Sequence, residues 1–116
     1  MIDSNSDTAF THHTLDALTR RTKAAIHNIA NQNVEGFKRV TVRFEDKLRE
    51  AIDAGRSEGS VEASVERDTS GEAGANNVVL MEELALLGKT QIMHDFMLRK
   101  AAGYFSSINK AIQGGR

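Results

Sequence analysis

The chain contains no cysteine, no proline and no tryptophan, and only 5% of its 116 residues are aromatic. Without cysteine, neither a disulfide framework nor a thiolate metal site can form. Without proline, nothing in the backbone forbids long helices. The shortage of aromatics leaves little bulk for a rounded core, so the 40% of residues that are hydrophobic have to act through periodicity. No sign of charge dominates: the formal net charge is -1 and Lys and Arg are scattered, which argues against nucleic-acid binding. No apolar run approaches a membrane span, so direct membrane insertion is not expected. Met1–Thr14 has neither the basic nor the apolar region of a cleavable secretory signal, and any export is expected to use a route that reads none. The length fits one domain.

What is present is a repeat. From Leu80, steps of four and three residues land on Leu84, Leu87, Gln91, His94, Leu98, Ala101, Phe105, Ile108 and Ile112. Such a period marks a heptad seam that needs partner helices along its length. At 1.5 Å per residue the helix would be about 50 Å long, a rod. Gln91 and His94 interrupt the seam as polar, register-setting positions, and His94 beside Asp95 is also a candidate pH-sensitive contact. Asn76 and Asn77 are N-cap candidates. Glu82 and Glu83 compensate the positive end of the helix dipole, Lys110 the negative end, and Gly114 and Gly115 supply a stop. Met81, Met93, Phe96, Met97 and Tyr104 lie off the seam, a second apolar set suited to contacts on more than one face. Gly88 and Gly103 each cost about 1 kcal/mol inside a helix; either a neighbouring helix comes close there, or both face solvent.

The rest of the chain divides by composition. Residues 1–13 are polar and aperiodic, expected as a mobile tail. Residues 14–33 are predicted as the first helix, because Leu15, Leu18, Thr22, Ala25 and Ile29 keep the same spacing, with Asn31, Gln32, Asn33 and Gly36 as stop and turn. Within residues 34–52, Val40, Val42 and Phe44 alternate with Thr41 and Arg43 as an extended segment, and Phe44, Leu48 and Ile52 then take helical spacing. Residues 53–77, rich in Gly, Ser, Ala and Glu, are expected as a flexible acidic loop, tolerant of substitution between Ser57 and Gly71. Residues 78–116 are the heptad helix. The predicted fold class is all-α, with long N- and C-terminal helices paired as a coiled coil around a short middle segment and the loop. Two such helices bury little against the entropy of ordering them, so the seam is expected to be completed by several copies packed together.

No catalytic, cofactor-binding or metal site emerges. His12, His13, His27 and His94 lack ligand spacing, and no nucleophile with a paired base, no glycine-rich phosphate loop and no useful carboxylate pair is found. An enzyme is not expected, nor any cofactor. Asn28 and Asn31, one turn apart, read either as plain helix termination or as an interhelical hydrogen-bonding pair.

Two stretches carry a resemblance. Asn28-Ile29-Ala30-Asn31, then Gly36-Phe37-Lys38 and Phe44, resembles the amino-terminal signature of bacterial flagellar axial proteins. Leu80 to Leu87, Phe105, Ile108 and the closing Ala111-Ile112-Gln113-Gly114-Gly115 resemble the carboxyl end of the FlgB family of basal-body rod proteins, an ending that favours FlgB over FlgC. Val34-Glu35 stands where the family has Thr-Pro, Phe37 where it has Tyr, Val79 where Asp is usual, and Thr90 and His94 where Asn and Tyr are common; the chain is similar to a divergent member. The resemblance implies a structural subunit of the proximal rod in the periplasmic part of the flagellum. It would be exported unfolded by the type III apparatus without a cleaved signal peptide, and would polymerise helically through its terminal helices. Its implied partners are further copies, other rod proteins, the adaptor between rod and MS ring, and the export apparatus. The residues alone leave open a small soluble coiled-coil adaptor that binds one partner helix and forms no filament.

Overall fold

A computed structural model describes residues 4–114, without the side chains of residues 4–6, 104 and 105. The order is α1 (Ser4–Ala30), β1 (Val40–Arg43), α2 (Glu45–Asp53), a 3-10 turn (Glu58–Ser60), β2 (Ser64–Arg67) and α3 (Leu80–Gly114). α1 and α3 lie antiparallel, the end of one meeting the start of the other through Asn28 and Glu83. The 3-10 turn and β1 also pack on α1. The body measures 65 × 30 × 14 Å with a radius of gyration of 18.0 Å, against about 13 Å for a compact chain of this length. It is a flattened rod.

α1 begins at Ser4 rather than Thr14, so residues 4–13 of the expected tail are helical, and residues 1–3 lie outside the described residues. The physical reason is Phe10, which packs against a core of Ala17, Phe44, Ala51 and Val61 and gives the polar turns around it something to order against. Thr14 satisfies its hydroxyl inside the helix, donating to Phe10 O at 2.8 Å. α1 stops where the Asn cluster predicts. The Asn31 and Gln32 N–H groups fold back on Asn28 O and Ile29 O at 3.0 and 3.2 Å, and Gly36 takes φ 75°, a left-handed position open to glycine.

Residues 53–77, expected as a flexible acidic loop, contain the 3-10 turn and β2. Gly55 at φ 74° ends α2, with Gly55 N–H on Ile52 O at 3.0 Å and Arg56 N–H on Ala51 O at 2.8 Å, a Schellman closure. Val61 is 5% exposed and anchors the segment in the core. Ser64–Arg67 then pairs antiparallel with β1, Val40 opposite Arg67 and Val42 opposite Val65. The fold is therefore mainly helical with a small two-stranded sheet, not all-α. Given the burial of Val61, the tolerance expected between Ser57 and Gly71 is not expected to extend to it. Val61→Ala is expected to lower unfolding free energy by about 2 kcal/mol in urea titrations, whereas Thr69→Ala on the exposed surface changes it by less than about 0.5 kcal/mol.

Candidate assembly interface

α3 turns Glu83, Leu87, Thr90, His94, Met97 and Ala101 inward. Glu83 is 0% and Met97 7% exposed, Thr90 is buried, and Leu87, His94 and Ala101 are half-buried. These residues are also spaced by four and three. They form a second heptad frame that shares Leu87, His94 and Ala101 with the apolar one and differs from it by one residue elsewhere. One residue is about 100° around an α-helix. Leu84 and Leu98 are consequently turned out, 45% and 47% exposed, in a stripe with Leu80 and Gln91. Ile108 and Ile112 are exposed farther along α3, and Met81, Ile92 and Phe96 on its outer faces. The Phe105 side chain lies outside the described residues. On α1, Leu18 and Ala25 are buried, and Leu15 and Ile29 half-buried.

Glu83, read from sequence as dipole compensation, is a buried acid held by partners. Arg39 Nε donates to Glu83 Oε1 at 2.6 Å, and Asn28 Nδ2 lies 3.3 Å from Oε2. Asn28, itself fully buried, uses the rest of its amide on β1: Oδ1 accepts the Val40 N–H at 2.8 Å and Nδ2 donates to Val40 O at 2.9 Å. Asn28 is thus an interhelical residue as well as a terminal one. Arg39 also donates to Asp68 at 3.2 Å, and Asn77 Oδ1 accepts the Arg39 N–H at 2.6 Å while its Nδ2 donates to Asp68 O at 2.7 Å. One carboxylate therefore joins α1, β1 and α3 to the segment after β2. The Glu83 hydrogen bond, outweighing burial, raises the Arg39 pKa above its ordinary value.

Asn76 and Asn77 serve the loop rather than cap α3, which starts at Leu80. Asn76 Oδ1 accepts the Val78 N–H at 2.8 Å, and its Nδ2 donates to Asn31 O and Val34 O at 2.9 and 2.7 Å. The approach to α3 is clamped onto the end of α1. Asn31 Nδ2 donates back to His27 O at 2.7 Å. Phe37 meets the His27 ring edge-on at 5.6 Å and lies 5.5 Å beneath the Arg67 guanidinium. Lys38 Nζ donates to Glu72 O at 2.7 Å, and Phe44 belongs to the core. Of the remaining motif residues, Ala30, Ala111, Ile112 and Gln113 are exposed, Gly114 ends α3 and Gly115 lies outside the described residues. A Cβ at Gly88 or Gly103 would meet no atom within 4 Å, so packing inside one chain requires neither glycine.

Among the described residues no group of three or more His, Asp or Glu side chains converges as a metal site, and no helix is long and apolar enough to cross a membrane. Two carboxylates titrate low. A side-chain hydrogen bond from Arg21 holds Glu45 below its ordinary 4.5. Hydrogen bonds from the Ser70 side chain and N–H, then Arg39, hold Asp68 below 3.8. Groups depressed in the folded state contribute stability above their unfolded values and lose it as pH falls through the folded ones. The urea midpoint is accordingly expected to stay level from neutral pH to about pH 5 and to decline below about pH 4, less steeply in Asp68→Asn.

The arrangement defines an elongated helical protein that pairs a buried polar cluster with an unpartnered apolar stripe. No protein-family model matches the chain. It is similar to the flagellar basal body rod protein FlgB of Borreliella burgdorferi, with 28% identity over 131 aligned residues covering 94% of this chain and 97% of that protein.

Proposed function

We propose that this protein is a structural subunit of the flagellar basal-body proximal rod, exported through the type III apparatus and polymerising helically through coiled-coil packing of its terminal helices. The observation that carries this reading is the row Leu80, Leu84 and Leu98, left half-exposed along α3. About half of each side chain is still to be buried, contributing about 1 kcal/mol apiece, whereas association costs at least about 4 kcal/mol in lost freedom. One neighbour on this stripe alone gives a weak contact. Met81, Ile92 and Phe96, exposed on other faces of the same helix, call for further neighbours, as a helical polymer supplies. Further copies, other rod proteins and the adaptor to the MS ring are the partners of that assembly. The similarity to FlgB along nearly the whole chain supports the same reading.

A soluble adaptor binding a single helix would use Leu80, Leu84 and Leu98 and leave Met81, Ile92 and Phe96 without a role. Negative-stain microscopy of concentrated protein, alone and with other rod proteins, separates the two, since an unchanging small dimer would favour the adaptor. Leu98→Asp is expected to keep the helical circular dichroism of the chain and to abolish rod incorporation, scored as loss of motility in a strain lacking the native protein. Full motility would overturn the assignment of the stripe.

A further inference from the structure

We infer that Arg39, Glu83 and Asn28 form a register lock: they hold α3 in the heptad frame that keeps Leu80, Leu84 and Leu98 on the outside, and so determine which face the chain offers to a neighbour. The use of that face for assembly rests on the rod reading; the lock does not.

α3 carries two frames. The one turned inward contains Glu83, Thr90 and Met97; the other would substitute Leu84, Gln91 and Leu98, and both share Leu87, His94 and Ala101. Counted by apolar side chains, the second frame is the better partner for the alanine-rich face of α1, because it exchanges a carboxylate, a threonine and a methionine for two leucines and a glutamine. Because the two frames share every second position, a roll of about 50°, half of the roughly 100° between adjacent residues, would reach it. What opposes the roll is the anchorage of Glu83. Arg39 is fixed from behind, its guanidinium on Asp68 at 3.2 Å and its N–H on Asn77 at 2.6 Å, so its 2.6 Å bond to Glu83 pins α3 to the sheet. Beside that bond, α1, β1 and α3 line an open groove of about 530 Å³ that includes Leu18, Val42, Leu86 and Met93, which leaves α3 without close packing on that side. A polar residue at a seam position is a known means of choosing one register over another at some expense in stability.

Without Arg39 the inward frame would bury an unpaired carboxylate, and the apolar frame would win. The chain has no native cysteine, so single variants Leu84→Cys, Thr90→Cys, Met97→Cys and Leu98→Cys report each frame by their alkylation rates in the unassembled protein. In the otherwise native chain, positions 84 and 98 are expected to react faster than 90 and 97 by roughly tenfold or more. Arg39→Gln is expected to reverse that order, and adding Glu83→Leu, which makes the inward frame apolar, to restore it. An unchanged order in Arg39→Gln, uniformly fast reaction at all four positions, or no restoration by Glu83→Leu would overturn the lock. Motility of strains carrying the same Arg39 and Glu83 changes, without the cysteines, tests the separate reading. Reversed labelling with undiminished motility would uphold the lock and count against assembly through the stripe.

Discussion

A fully buried carboxylate at the junction of α1, β1 and α3 is the constraint to which the rest of the molecule conforms. Removing Glu83 from water is tolerable only with a cation and a further donor at fixed positions. Arg39 and Asn28 provide them. Arg39 must then stand just before β1, which places the strand. Its second partner Asp68 must stand just after β2, which brings the acidic segment back beside the first strand. The turn through Asn76 and Asn77 follows, because α3 has to start where its first inward residue can reach that pair. The middle of the chain is thus tied down by this ion pair at one end and by Val61 in the core at the other.

The core itself is small and works through small residues. Ala17, Ala24 and Ala25 are buried on α1, and alanine lets neighbouring elements approach closely at little entropic cost. Phe44 and Val61 supply most of the bulk on one side of α1, and Met97 part of the filling on α3. A chain with few aromatics can hold together this way only by spreading thin contacts along two long helices. That accounts for an outline far longer than it is thick.

The long helices, the stop after Ala30, β1 and α2 are legible in the sequence because each repeats a clear period or ends on a recognisable turn. β2 is not: its four residues include one valine, and Val65 is itself exposed, so no alternation stands out from the surrounding polar residues. The start of α1 is hidden for a similar reason, since Phe10 is a single apolar anchor whose partners lie in distant segments. The apolar frame of α3 is visible as a repeat. That α1 takes the adjoining frame is not visible, because hydrophobic periodicity cannot register a glutamate whose charge is met by an arginine 44 residues away. Asn28 belongs to a recognisable motif, yet its partners Val40 and Glu83 become evident only in three dimensions.

The two bonds from Asn28 to the Val40 backbone have a further effect. A two-stranded ribbon exposes hydrogen-bonding groups along its margins, where a foreign strand can add and start a cross-β aggregate. On the margin of β1 away from β2, a side-chain amide imitates a third strand at Val40, and Arg21 occupies the Val42 carbonyl at 3.1 Å. That margin is thereby closed to the addition of a foreign strand.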